Sequence, residues 1–260
     1  MFGRLLEEIK YRWYALHQHR ERPFDGPHYF IDAAYIAIGK NYTKHQEQAQ
    51  SFNLRESLAD MQELHAAHTL LLGVIGSILE EHSGQKIPTS NESTSRRFVI
   101  TAALIQGLSL CEQSILKGQY VQAGALIRQE FEAISALSEI RQGKRKDGIT
   151  PNARYAPWKG SRHYGELNGL AHLSDHRILD TLIGYNTSWG DFASTVPQYQ
   201  KINGARLYAA HTTHVLALID ELLSFYGEIY GYVSDNREKD VVDNAFSILV
   251  KHGMFKKPQR

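Results

Sequence analysis

One cysteine in 260 residues, Cys111, sits in a strongly apolar helical run. It excludes an internal disulfide and any cysteine-only metal site, and a chain so poor in thiols fits a reducing, cytoplasmic setting. The chain also lacks a surplus of either charge. Lys and Arg total 29 against 28 Asp and Glu, so the net charge of +1 predicts no global pull towards nucleic acid or an anionic membrane. Any electrostatic argument must be local. A long hydrophobic run is missing too: the longest, Thr69 to Leu79, contains two glycines and falls well short of the roughly 20 residues of a membrane span. A soluble protein with no membrane partner is therefore expected. The opening stretch MFGRLLEEIKYRWYALHQHR threads acids and bases through its apolar positions, so it reads as a first helix and not as a signal peptide. No glycine-rich phosphate loop, GxSxG elbow, HExxH pattern or nucleophilic cysteine signature occurs.

What is present is helical periodicity, with no bounded stretch of alternating apolar and polar residues. The expectation is all-α, a helical bundle of about eight helices in a single domain over 1–260, with N-terminal helices over 1–85 and the rest over 89–252. A break at Pro23 to Pro27 precedes a helix from about Tyr29 to Phe52, striped by Ile31, Tyr35, Ile38 and Tyr42. Asn53 is placed to cap the next helix, to about Glu81, with Leu58, Met61, Leu72, Ile75 and Leu79 on its apolar face. Thr89 and Glu92 have capping-box spacing for a helix to about Lys117, and its nearly apolar middle, FVITAALIQGLSLC, predicts a central position. Gly118 ends it, and so short a turn makes the helix from Tyr120 to Arg141 its antiparallel partner. Further helices follow from Ser161 to Ala171 and from near Ser174, then a loop over Asn186 to Pro197. A long helix from Gln198 to Tyr232 and a last one from Ser234 to His252 complete the chain.

Three constellations carry possible chemistry. Arg128 and Glu132 lie one turn apart, between Phe131 and Gly124 on one side and Val121, Ala125 and Ala136 on the other. Charges pointed at packed neighbours are costly unless paired, so these two either line a polar pocket or form a structural ion pair. Next, Arg141 to Arg162 holds Lys144, Arg145, Lys146, Arg154, Lys159 and Arg162 with Asp147 as its only acid, interleaved with Tyr155 and Trp158 and followed by Tyr164. That mixture of cations and rings suits phosphate contacts and base stacking on single-stranded RNA, and equally a solvated loop. In YGELNGLAH, Asn168 and His172 share a helical face, where a histidine can move a proton beside a held phosphate or cap a neighbouring helix.

The run LIRQEFEAISAL followed, after a loop, by Y..L....H resembles an uncharacterised family of prokaryotic all-helical proteins that carry an Arg and Glu helix and a Tyr, Leu, Ser and His segment. Over about Arg97 to Asp180 it is also similar in outline to the HEPN superfamily. That resemblance implies a HEPN-like antiparallel helical core and commonly a dimer. Many members are metal-independent ribonucleases of toxin or phage-defence systems, whose motif is an Arg, a polar residue and a His four to six residues after the Arg. Carried across, His172 is the histidine and Asn168 the polar residue. The arginine is out of place, since Glu166 and Leu167 stand where it belongs, and Arg162 lies ten residues ahead of His172. Arg128 is the arginine that folding would have to bring there.

The third constellation is histidine. His65 and His68 share a stripe with Met61 and Leu72, His211 and His214 share one with Leu207 and Leu218, and His45 extends the Ile31 to Tyr42 stripe. Pairs three residues apart suit a transition metal, but no Glu-x-x-His accompanies them. Buried histidines bonded to neighbours are expected, with no metal and no cofactor. The functional expectation is a protein that binds RNA and cleaves it, with Arg128 and Glu132 shaping the pocket, His172 as acid or base and Asn168 positioning. The alternative is a non-catalytic interaction scaffold with a partner protein or a second copy of itself.

Overall fold

The computed structural model describes residues 33–88, 91–157, 161–187 and 190–255. The expected first helix, the Pro23 to Pro27 break and Thr89 lie outside them. The described residues form eight α-helices and one short hairpin: α1 Ala33–Asp60, α2 Gln62–Glu81, α3 Glu92–Leu116, α4 Tyr120–Arg141, α5 Ser161–Ala171, α6 His176–Ile183, β1 Gly184–Thr187, β2 Gly190–Ala193, α7 Lys201–Tyr230 and α8 Asn236–Lys251. The architecture is an all-α bundle, as the periodicity predicts.

Two compact units divide the chain, Met1–Thr43 and Lys44–Arg260. In the first, residues 35–43 are helical with exposed side chains, Tyr35, Ile38 and Tyr42 among them, so the expected stripe buries nothing there. In the second, α2, α3, α4 and α7 share one core and α8 packs on α2 and α7. Residues on both sides of the loop near 85–89 therefore belong to the same unit.

Asn53 does not start a helix. It lies buried inside α1, and its Nδ2 donates to the carbonyls of Lys117 (3.0 Å) and Pro197 (3.1 Å), tying α1 to the α3–α4 turn and to the approach of α7. The same side chain dictates Gly118: the turn takes φ +77° there, and a Cβ would strike the Asn53 amide. The helix break falls instead at Met61, and α2 presents Leu64, Leu71, Val74, Ile75 and Ile78 to the core while Leu58 and Leu72 stay about one-third exposed. Asn91 caps α3 by accepting from Thr94 N at 2.8 Å. Asp235 and Glu238 form a capping box at α8.

Part of the expected loop over Asn186 to Pro197 is a hairpin. Its two strands pair antiparallel from Gly184↔Ala193 to Thr187↔Gly190, too few residues to show alternation in the sequence. Among the described residues α3 alone is long and apolar enough to cross a membrane by length and composition, and here it packs against α4 and α7.

One buried charge works against the fold. Glu221 on α7 is 2% exposed, neither of its oxygens has a hydrogen bond, and Arg141 Nη2 stands 3.2 Å from Oε1 out of alignment. Burial pushes its carboxyl pKa up, only partly opposed by Arg141 and Arg97. A raised folded-state pKa means the fold disfavours the ionised form, so stability is lost as pH rises out of the ordinary carboxylate range. Glu221→Gln is expected to gain about 1 kcal/mol at neutral pH and nothing below about pH 4. Denaturation midpoints at the two pH values check it, and an equal gain at both would sink the explanation.

Candidate functional site

The short helix α5 crosses α4 at Gly124, where Leu170 occupies the space a Cβ would need. This close approach sets the register of everything α5 carries. Phe131 on α4 stacks on Tyr164 at 5.4 Å between ring centroids, and α5 ends at Ala171, with His172 N still bonded to Asn168 O and Leu173 in the left-handed region at φ +52°. The His172 side chain thus emerges beside Arg128.

Four of the sequence-predicted residues converge here. Arg128 Nε and Nη2 each lie 2.9 Å from Glu132 Oε1, the Tyr164 hydroxyl donates to the same oxygen at 3.0 Å, and Arg128 Nη1 lies 2.9 Å from His172 Nε2. Arg128 and Glu132 are about one-fifth exposed, at 18% and 23% of their side chains, and His172 is open to solvent. Arginine only donates, so His172 Nε2 must accept and its proton sits on Nδ1. Burial, then the Glu132 hydrogen bond, raises the Tyr164 phenol above its usual pKa, keeping it a donor. A guanidinium, an imidazole and a phenol therefore gather around one carboxylate, with the guanidinium between Glu132 and His172. Such a set holds an oxyanion and moves a proton next to it.

Asn168 has no side-chain bond to this cluster among the described residues and is half-buried one turn back on α5. The basic loop is more anchored than its composition suggests. Glu139, buried on α4, accepts from Arg145 Nη1 (3.2 Å) and from Asn152 N (2.7 Å), and Arg145 also donates to Ile149 O at 2.8 Å. Arg145 is thus committed to Glu139 and Arg141 stands near Glu221 without a hydrogen bond to it, while Lys144, Lys146 and Arg154 stay exposed. Trp158 and Lys159 lie outside the described residues; Arg162 lies in α5, its side chain outside the description. Glu139 was invisible as an anchor because its partners follow it in a loop without periodicity.

On the other side of Phe131 lies a buried polar network that periodicity only half revealed. His211 Nδ1 and His214 Nδ1 on α7 face the two oxygens of Glu130 on α4 at 2.8 and 3.2 Å. His211 Nε2 meets His68 Nε2 on α2 at 3.0 Å, and His68 Nδ1 stands 3.1 Å from Glu112 Oε1 on α3. Tyr208 donates to Glu112 Oε1 at 2.6 Å and lies 3.1 Å from His65 Nδ1. Cys111 sits beside Glu130, and burial, then Glu130, push its thiol pKa far up. Glu130 and Glu112 are held down to about 2, because the facing histidines, joined at Glu112 by Tyr208, outweigh the large opposing effect of burial.

His68, His211 and His214 are buried and bonded, as their stripes predict, whereas His45 is exposed. Missing from the sequence reading were the carboxylates. They come from the α3–α4 hairpin and not from the helices that carry the histidines, so a search for Glu-x-x-His could not find them. The chain matches no known protein-family model, no curated protein and no solved structure.

Proposed function

We propose that the protein is a HEPN-like RNA-binding protein that cleaves single-stranded RNA without using a metal in the cleavage step, in the cytoplasm of a prokaryotic defence or toxin system. The observation that carries this reading is the 2.9 Å contact between Arg128 Nη1 and His172 Nε2. It supplies through space the arginine that the local motif lacks. A phosphate drawn in by Lys144, Lys146 and Arg154 takes over the Arg128 donors and frees the His172 lone pair. His172 Nε2 then accepts the ribose 2′-hydroxyl proton, the 2′ oxygen bonds to phosphorus, and the bond to the 5′ oxygen breaks as that oxygen takes a proton from solvent. The products are a 2′,3′-cyclic phosphate and a 5′-hydroxyl end. Tyr164 and Glu132 hold Arg128 in place throughout.

The test is labelled single-stranded RNA with no divalent ion added, at two salt concentrations. Salt-dependent binding and cleavage are expected, with His172→Ala losing cleavage by about 10²-fold or more while keeping affinity and helicity. Binding that survives reversal of Lys144, Lys146 and Arg154, or cleavage retained in His172→Ala, overturns the reading. The commitment of Arg128 to Glu132 and of Arg145 to Glu139 favours a second reading, a non-catalytic scaffold that docks a second copy of the chain or a partner protein. In that case the same titration shows no salt-dependent affinity.

A further inference from the structure

We propose that Cys111, Glu130 and His211 bind a divalent transition metal of the zinc class inside the bundle. The site is separate from the Arg128–His172 cluster and independent of its function. Three features of the bundle lead there.

First, the donors. A ligand atom from each of the three residues lies within 4.8 Å of the other two, and all three residues are buried. They come from α3, α4 and α7, so the core itself fixes their separation and no exposed loop has to close over them. A thiolate, a carboxylate and an imidazole are the donor types of zinc and cobalt(II), and three protein donors leave one position of a tetrahedral ion for water.

Second, the support. A metal-binding histidine usually donates its other ring proton to a fixed partner, which sets its tautomer. His211 has that partner in His68 at 3.0 Å; Glu112, which takes the Tyr208 hydroxyl, stands 3.1 Å from His68 Nδ1 without a hydrogen bond to it. His214 holds the second oxygen of Glu130 at 3.2 Å. Each first-contact residue except Cys111 is therefore oriented from behind by a buried polar group.

Third, the charge. A dication at this point is balanced by the Glu130 carboxylate and by Cys111, which gives up its thiol proton on binding.

Cobalt(II) is the probe, titrated into full-length protein stripped with a chelator and followed by absorption. Stoichiometric binding with a thiolate-to-cobalt charge-transfer band is expected, together with co-purifying zinc found by elemental analysis. Cys111→Ser is expected to lose the band and weaken binding by about tenfold or more while circular dichroism stays helical. Absence of stoichiometric cobalt binding by the wild-type protein overturns the proposal whatever the variant does. An unchanged band in Cys111→Ser overturns it as well, since the metal then sits elsewhere. RNA enters none of these readouts, so failure here leaves the cleavage reading standing and the reverse.

Discussion

Glu130→Ala is expected to lower the unfolding free energy by about 3–5 kcal/mol, among the largest single-residue effects this chain can show. The carboxylate is 4% exposed and receives His211 on one oxygen and His214 on the other. Truncation leaves two imidazole nitrogens and the Cys111 thiol facing a gap too apolar to solvate them, so the cost is that of stranded donors added to a small cavity. Glu130→Gln separates the two contributions. The amide keeps the volume and one acceptor but turns an N–H towards one of the two histidines, so about half the loss is expected to remain. Urea denaturation gives the answer, with a constant slope confirming that compactness has not changed. A loss under about 1 kcal/mol for the alanine variant would mean that the network is solvated and the interior less dry than described.

That network also shows where reading a sequence stops. Helix existence was legible, because α3, α4 and α7 carry apolar residues at helical spacing throughout, and the short Gly118 turn dictated the pairing of α3 with α4. The histidine stripes on α2 and α7 were legible for the same reason. Their partners were not. Glu112 and Glu130 sit on a hairpin that arrives from another direction, and which face of α3 meets which face of α7 is settled by packing, not by local spacing. Asn53 fails in the opposite sense. Its type favours a helix start, yet two carbonyls 64 and 144 residues away claim its amide, and the helix runs on through it. The Arg128–Glu132 pair was legible because both ends lie on one helix. That Tyr164 and His172 would join them depends on α5 crossing at Gly124, which Leu170 makes possible only because position 124 has no side chain.

Gly124→Ala follows from that crossing. The new methyl meets Leu170, which can move only by shifting α5, so a loss of about 1–3 kcal/mol is expected together with a displaced His172. Cleavage should fall more than stability does. A variant that keeps full cleavage at reduced stability would mean that the α5 position is immaterial to the site.

If the Arg128–His172 cluster cleaves RNA, Arg128→Lys is expected to lower cleavage by about 10²-fold at unchanged net charge. The guanidinium spans two groups at once, with Nε and Nη2 on Glu132 and Nη1 on His172, and lies 5.8 Å from the Tyr164 ring. A lysine ammonium is a single point on a flexible stem. It keeps the Glu132 pair and abandons His172, so the charge stays while the geometry goes. The companion variant is Glu132→Gln, which removes the carboxylate that now neutralises Arg128. If Arg128 meets phosphate, freeing it should tighten RNA binding and steepen the salt dependence by about one contact in the log–log slope. If the pair only pins the register of α4 and α5, the same change loosens the fold and leaves affinity and slope where they were. The two readings of this site thus predict opposite outcomes for one substitution, and the salt slope tells them apart even if no cleavage is ever detected.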